Sequence, residues 1–277
     1  MEIVSQHFYK TGRTKGKSST SLREPSSVIM FSGGVDSVSV LKRILEETDE
    51  KIYAHHIHLK NNEGVHNIKR YKAEALTLRK IVPYMKKTFR DFHYSESTID
   101  VRQLIDLIPE YYEEEDKELT ALSFIPDLTY YNLIGGILAK LSNSNNLHIG
   151  TCTEDYEYYL SASSLQARQQ NMDQIADGAS YGNQYPFKVN VQRLHDKQTK
   201  KQNIEYLGKE LMDMVWYCRH PIEKDGKLLS CNTDVGIYKQ GVDLETGQIF
   251  KCRSCKVVSD ALIEIEEEKI QRGTKYA

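Results

Sequence analysis

The residues best suited to chemistry lie in a glycine-rich turn between a predicted strand and a predicted helix. The strand Val28–Phe31 is apolar, the turn reads Ser-Gly-Gly-Val-Asp-Ser over residues 32–37, and apolar residues then recur at helical spacing from Val38 to Leu45. Such a turn points consecutive backbone N–H groups at one spot beside the positive end of a helix. Gly33 and Gly34 let the backbone approach a ligand without a Cβ in the way. The stretch therefore predicts a phosphate-binding loop, with an ordinary glycine-rich turn as the alternative.

Two familiar nucleotide-binding loops do not fit this stretch. No Gly-Lys-Ser or Gly-Lys-Thr follows the glycines, so it is not the loop of kinases and GTPases. The glycines also lack the spacing of a dinucleotide-binding turn. The hydroxyls of Ser32 and Ser37 add hydrogen-bond donors to the predicted phosphate site.

Three histidines follow in the second predicted strand, which covers residues 51–59. In an extended chain, His56 and His58 share one face and His55 takes the other. No cysteine or carboxylate accompanies them. The pattern therefore favours a role at the nucleotide site or in packing, with metal binding as the alternative.

The rest of the chain predicts an α/β fold. Further strands are expected at 88–94, 147–150 and 187–191, and helices at 65–85, 128–141, 160–176, 200–212 and 257–270. Strands that alternate with helices indicate a parallel sheet covered on both faces. We expect about five strands with helices on both faces, followed by a C-terminal zinc-binding segment.

Composition limits the classes of partner and location. The chain has 277 residues and a net charge of −2, so no overall basic field indicates nucleic acid. No apolar run approaches membrane-spanning length, and no secretory signal is seen at the start. We expect a cytoplasmic protein. Residues 1–24 are basic and rich in Gly, Ser and Thr, which predicts a flexible lead-in or an arm for an anionic partner.

Four of the five cysteines lie in the C-terminal part of the chain, at Cys218, Cys231, Cys252 and Cys255. Four thiolates complete the tetrahedral coordination of a structural zinc ion. The pattern predicts such a site, with unrelated cysteines or a redox Cys-x-x-Cys as alternatives. Cys152 stands apart and is typical of a buried small residue.

The loop resembles the pyrophosphate-binding loop of N-type ATP pyrophosphatases, and the wider chain resembles a divergent member of the 7-cyano-7-deazaguanine synthase (QueC-like) family. After the loop, the resemblance rests on Ile125-Pro126, Ile149-Gly150, Glu154-Asp155, Lys201, Leu207-Gly208, Trp216-Tyr217-Cys218 and the later cysteines. The resemblance implies that ATP activates the carboxylate of 7-carboxy-7-deazaguanine as an adenylate. Ammonia then displaces AMP, and a second ATP-driven step dehydrates the amide to the nitrile.

The site residues expected on this basis form four groups. Catalytic residues are Ser32, Asp36, Ser37 and Lys201. ATP-binding residues are Phe31, Ser32, Gly33, Gly34, Val35, Asp36, Ser37 and His56. Substrate-binding residues are His58, Glu154, Asp155 and Tyr159, and zinc ligands are Cys218, Cys231, Cys252 and Cys255. The cofactors implied are ATP, Mg²⁺ and Zn²⁺.

The chain departs from the family pattern near the acceptor substrate. Pro126-Asp127-Leu128-Thr129 stands where the family has Pro-x-Arg-Asn, and residues 159–163 lack the Asp and Arg found there. His-His-Ile-His-Leu at 55–59 replaces Asp-Tyr-Gly. The departures favour a changed acceptor, such as another amine in a phage DNA-modification or antiviral system.

We therefore expect three segments: a basic extension at 1–24, an ATP pyrophosphatase domain at 25–214, and a zinc-binding segment with a helix at 215–277. The expected partners are a small deazaguanine-type substrate and ammonia or another amine, with no membrane. A homodimer and a protein or nucleic-acid acceptor stay open. The alternative to an enzyme is a non-catalytic nucleotide-binding scaffold. The presence of Ser32, Asp36 and Ser37 in the loop disfavours it.

Overall fold

A computed structural model describes residues 26–60, 68–100, 127–144, 146–154, 190–192, 198–219, 221–230 and 253–274, with the single residues 170 and 174. Within this part, the strands are β1 Ser26–Met30, β2 Lys51–Lys60, β3 His93–Asp100, β4 Asn146–Ile149, β5 Asn190–Gln192, β6 Ile222–Lys224 and β7 Lys227–Leu229. The helices are α1 Val35–Glu47, α2 Ile68–Thr88, α3 Asp127–Leu141, α4 Lys200–Met212 and α5 Arg253–Thr274.

The first five strands form one parallel sheet in the order β3-β2-β1-β4-β5. From the central strand β1, the chain moves outward to β2 and β3, then crosses back to β4 on the other side of β1. Ligands in open parallel sheets bind beyond the carboxyl ends of the strands where this direction reverses. The gap between the ends of β1 and β4 is therefore the expected site, and the glycine-rich turn follows β1 there.

Helices cover both faces of the sheet, which confirms the predicted fold class. One face packs against α1, α2, α4 and α5, with Leu41, Ile81, Leu207 and Val258 among its buried residues. The other face packs against α3, where Ile134 and Leu138 join Val28, Met30 and Leu147 of the sheet. Right-handed crossovers explain why α3 lies opposite α1 and α2, because the chain adds strands in one direction across the sheet up to β3 and in the other direction at β4.

The third strand lies later in the chain than the sequence predicts. The prediction at 88–94 is wrong because α2 continues to Thr88 and β3 begins only at His93. Met85 is fully buried, and Lys86 and Lys87 occupy the last turn, where the helix dipole favours positive charge. These residues extend the helix through the point where the alternating pattern suggested a strand.

A short hairpin of β6 and β7 was not predicted. Its turn is Asp225-Gly226, and both residues have positive φ, at 52° and 70°. An Asp-Gly pair with this backbone is typical of a two-residue hairpin turn. None of the helices in the part of the chain that the structure describes is long and apolar enough to span a membrane.

Candidate functional site

The predicted phosphate loop joins β1 to α1, and its hydrogen bonds hold it in a closed turn. Gly33 has φ +76°, a conformation that favours glycine. The Ser32 and Ser37 hydroxyls lie 3.0 Å apart, and the Ser37 hydroxyl donates to the Gly34 carbonyl at 3.1 Å. Gly34 is the N-cap of α1 and has no side chain to cover the first N–H groups. The start of α1 therefore suits an anion.

Three neighbouring segments pack tightly against this loop. A Cβ on Gly150, at the end of β4, would lie 2.5 Å from the Ser37 nitrogen and 2.7 Å from its Cα. A Cβ on Gly33 would lie 3.1 Å from Leu78 of α2. The Trp216 backbone N–H donates to the Gly33 carbonyl at 3.2 Å. These three segments therefore set the geometry of the loop. Position 150 must be glycine, because the backbone at the start of α1 lies too close for a Cβ.

Asp36 lies in the first turn of α1 and is bound from α4. The Lys200 ammonium donates to Asp36 Oδ2, and the Asn203 amide donates to Asp36 Oδ1 at 3.0 Å. Lys200 is itself only 8% exposed. An ammonium and a carboxylate therefore meet directly beside the phosphate loop.

The predicted place of Lys201 at the loop is corrected by this geometry. The Lys201 ammonium pairs with Glu264 at 2.8 Å and with Glu268, both on α5. These carboxylates hold the pKa of Lys201 above its ordinary value. One residue along a helix turns the side chain by about 100°, so Lys200 and Lys201 cannot serve the same site.

Glu154 fixes the start of α4. Both of its carboxylate oxygens accept from the Lys200 backbone N–H, at 2.8 and 3.0 Å. Thr199 and Gln202 add a capping box, in which each side chain bonds the other residue's backbone N–H. Glu154 was predicted to bind substrate, and the structure shows it holding the helix that carries Lys200. Asp155 and Tyr159 lie outside the described residues.

The histidines of β2 are held by hydrogen bonds, and His56 contacts the residue that precedes the loop. His56 is buried, and its Nδ1–H donates to the Phe31 carbonyl at 3.0 Å. Burial, with a smaller effect from His58, lowers the pKa of His56 from 6.5 to about 3. A neutral imidazole therefore holds the residue that precedes Ser32. The sequence predicts that His56 contacts ATP. In this geometry His56 would affect the nucleotide site through its hydrogen bond to the Phe31 carbonyl.

The other two histidines also have partners on β3. His58 donates from Nε2 to Glu96 at 2.7 Å, and this bond is the main cause that lowers the pKa of Glu96 to about 2. His55 lies on the opposite face, where its ring nitrogens lie 2.8 and 2.9 Å from the Ser95 and Ser97 hydroxyls. His56 and His58 share a face, as the strand pattern predicts, with ring centroids 4.3 Å apart.

Neutral buried histidines predict acid-sensitive stability. Burial lowers the pKa of His55 to about 4 and of His56 to about 3, while unfolded histidines titrate near 6.5. Below pH 6.5 the unfolded state binds more protons, so the free energy of unfolding should fall by about 1.4 kcal/mol per pH unit for each histidine. Denaturant titrations from pH 7 to pH 5 measure this slope.

A matched pair of variants tests the source of the slope. His56→Gln should reduce the slope by about 1.4 kcal/mol per pH unit, the contribution of one histidine. His93→Gln removes an exposed histidine and should leave the slope unchanged. An unchanged slope in His56→Gln would show that His56 is not one of the neutral buried groups.

The cysteine site is only partly within the described residues. Cys218 and Cys255 are buried, at 2% and 0% exposed, whereas Cys231 and Cys252 lie outside. In the part that is described, no group of three or more His, Cys, Asp or Glu residues is placed to hold a metal ion. Zinc binding by the four cysteines stays a prediction. Cys152 is fully buried, as its isolated position indicates.

Comparison with known proteins gives no family assignment. No protein-family model matches the chain, and no curated protein matches its sequence. Solved structures with a similar fold include two at low identity. The U34-tRNA thiolase NcsA from Methanococcus maripaludis, solved with its 4Fe–4S cluster, aligns with 14% identity over 70% of this chain, with a TM-score of 0.40. The alignment spans only 59% of the thiolase.

The second similar structure is a predicted subunit of a tRNA methyltransferase from Methanocaldococcus jannaschii. It aligns with 20% identity over 74% of this chain and 81% of its own, with a TM-score of 0.34. At these TM-scores, the function must be argued from the site of this chain itself.

Proposed function

We propose that this chain binds ATP at residues 32–37, cleaves it between the α and β phosphates, and transfers AMP to a carboxylate. An amine then displaces AMP from the adenylate. The observation that carries the proposal is the meeting of three features at the reversal point of the sheet. These are the glycine turn at the start of α1, the close approach of Gly150, and the Asp36–Lys200 pair.

Each described group has a part in this reaction. The N–H groups at the start of α1 and the Ser32 and Ser37 hydroxyls would bind the phosphates. Lys200 would turn from Asp36 to the pyrophosphate as negative charge develops on it, since a cation stabilises such charge more strongly in a site of low dielectric than in water. Asp36 would hold Mg²⁺, which supplies charge neutralisation to the leaving pyrophosphate.

The acceptor proposed is a 7-deazaguanine carboxylate, on the strength of the family resemblance. His58 is 6% exposed and hydrogen-bonded to Glu96, and Glu154 is bound to α4. Two of the predicted substrate contacts are therefore engaged elsewhere. The carboxylate would then be held by other groups, with Asp155 and Tyr159 as the predicted contacts that remain, and the amine is proposed to differ from that of the family.

The position of cleavage tests the proposal. The protein, incubated with Mg²⁺, ATP, 7-carboxy-7-deazaguanine and ammonium, should yield AMP and pyrophosphate on separation of the nucleotides. Asp36→Ala should lose this activity and still fold, since Asp36 lies outside the apolar core. Its melting temperature should fall, because the buried Lys200 ammonium loses its partner. ADP and orthophosphate as main products would contradict the proposal, and ATP binding without cleavage would favour a scaffold.

We also propose that zinc on Cys218, Cys231, Cys252 and Cys255 stabilises the C-terminal part. Elemental analysis should give one zinc per chain. Cys255→Ser should lower the zinc content, because thiolates are the ligands that structural zinc prefers. Cys152→Ser changes an equally buried cysteine and should retain zinc. Metal-free protein with a Cys252–Cys255 disulfide would contradict the site.

A further inference from the structure

We infer that Asn203 is a positioning residue that holds the Asp36 carboxylate in its working place, and that Ser39 holds the Asn203 amide from its other side. The inference rests on the proposed function for the role of Asp36. Neither Asn203 nor Ser39 belongs to the predicted site. Both are almost completely buried, at 1% and 0% exposed, between α1 and α4.

A chain of two hydrogen bonds links the three side chains. The Ser39 hydroxyl donates to Asn203 Oδ1 at 3.2 Å, and Asn203 Nδ2 donates to Asp36 Oδ1 at 3.0 Å. An asparagine amide has an acceptor side and a donor side. Because the Asp36 carboxylate can only accept, the NH₂ group faces it, and the Ser39 hydroxyl donates to the amide oxygen on the other side. The reverse orientation would place an oxygen against a carboxylate.

The two partners of Asp36 differ in mobility and charge. Lys200 has a long side chain with a single point charge, which can turn towards an arriving polyanion. Asn203 is short, neutral and buried between two packed helices, so it has little freedom to follow. When Lys200 leaves for the phosphates, Asn203 is the described group that keeps Asp36 in position. This arrangement separates charge stabilisation by Lys200 from positioning by Asn203.

Four variants test this arrangement. Asn203→Leu removes both hydrogen bonds at similar size, and Asn203→Asp places a second carboxylate beside Asp36. Ser39→Ala removes only the hydrogen bond to the amide oxygen. Asn132→Leu is the control, because it makes the same change at a fully buried asparagine of α3, on the other face of the sheet.

Pyrophosphate release and melting temperature are measured for each variant. Asn203→Leu should lower kcat by roughly 10- to 100-fold with little change in KM for ATP, the range typical when a partner of a metal-binding side chain is lost. Asn203→Asp should lose more, because like charges repel. Ser39→Ala should have a smaller effect, and no further effect when added to Asn203→Leu. Asn132→Leu should alter stability without this loss of kcat.

Three results would overturn the inference. They are a wild-type kcat in Asn203→Leu, a loss of kcat in Asn132→Leu that matches it at equal stability, and additive effects of the Ser39 and Asn203 changes. Absence of pyrophosphate release from the wild type would instead contradict the proposed function. In that case a crystal structure of Asn203→Leu decides the positioning claim. The Asp36 carboxylate should leave its place while the loop main chain stays, and an unmoved carboxylate would refute the claim.

Discussion

Gly150→Ala should abolish tight nucleotide binding. The added Cβ would lie 2.5 and 2.7 Å from Ser37 backbone atoms and 2.8 Å from the carbonyl carbon of Asp36. Backbone atoms cannot turn aside as a flexible side chain can, so the first turn of α1 must shift. A displacement of this kind at an aligned site costs on the order of 100-fold in rate, and the displaced N–H groups should also bind the phosphates more weakly. Isothermal titration with ATP and Mg²⁺ measures the loss.

Gly208→Ala is the matched control for this change. Gly208 lies in α4 with φ +72°, and a Cβ there would meet nothing within 4 Å. Alanine at this φ strains the backbone and should lower the melting temperature. Nucleotide affinity should nevertheless stay at the wild-type value. Equal affinities for Gly150→Ala and the wild type would show that the loop does not need this close approach.

Lys200→Met should lower the rate of pyrophosphate release by roughly 100- to 1000-fold, as expected when one group that stabilises transition-state charge is removed. Its ammonium is the described cation that contacts Asp36 at the loop. Methionine keeps much of the buried stem, so the packing of α4 should survive. Steady-state assays with saturating ATP measure the effect on kcat.

Lys201→Met tests whether the neighbouring lysine can substitute. Its ammonium pairs with Glu264 and Glu268, so its loss should weaken the contact between α4 and α5. We expect a lower melting temperature and a kcat close to that of the wild type. A greater loss of kcat in Lys201→Met than in Lys200→Met would restore the assignment made from the sequence.

The difference between the two lysines shows how far the sequence could lead. The helix 200–212 is predicted with the bounds that the structure has, because its apolar residues recur at helical spacing. The spacing of the buried residues also distinguishes the two lysines, although the family resemblance pointed to Lys201. The buried stripe Ile204, Leu207 and Leu211 extends back by four residues to Lys200 and Asn203. Lys201 lies off that stripe.

Other features depend on contacts that the sequence does not display. The loop, the second strand and the sharing of one face by His56 and His58 follow from local patterns. The bond from Ser39 to Asn203 joins residues 164 positions apart, and Glu154 reaches the start of α4 from the end of β4. Residue types alone give no pairing over such distances. Contacts of this kind require the sheet order that brings α1, α4 and β4 together.

The proposed adenylate is tested most directly by the fate of a labelled oxygen atom. The protein is incubated with ATP, Mg²⁺, ammonium and 7-carboxy-7-deazaguanine that carries ¹⁸O in its carboxylate. Attack of the carboxylate on the α phosphate, followed by displacement with the amine, leaves one labelled oxygen in AMP. Mass spectrometry of the nucleotides should therefore show singly labelled AMP and unlabelled pyrophosphate. Label in orthophosphate with ADP as the nucleotide product, or AMP without label, would contradict activation of the carboxylate at this loop.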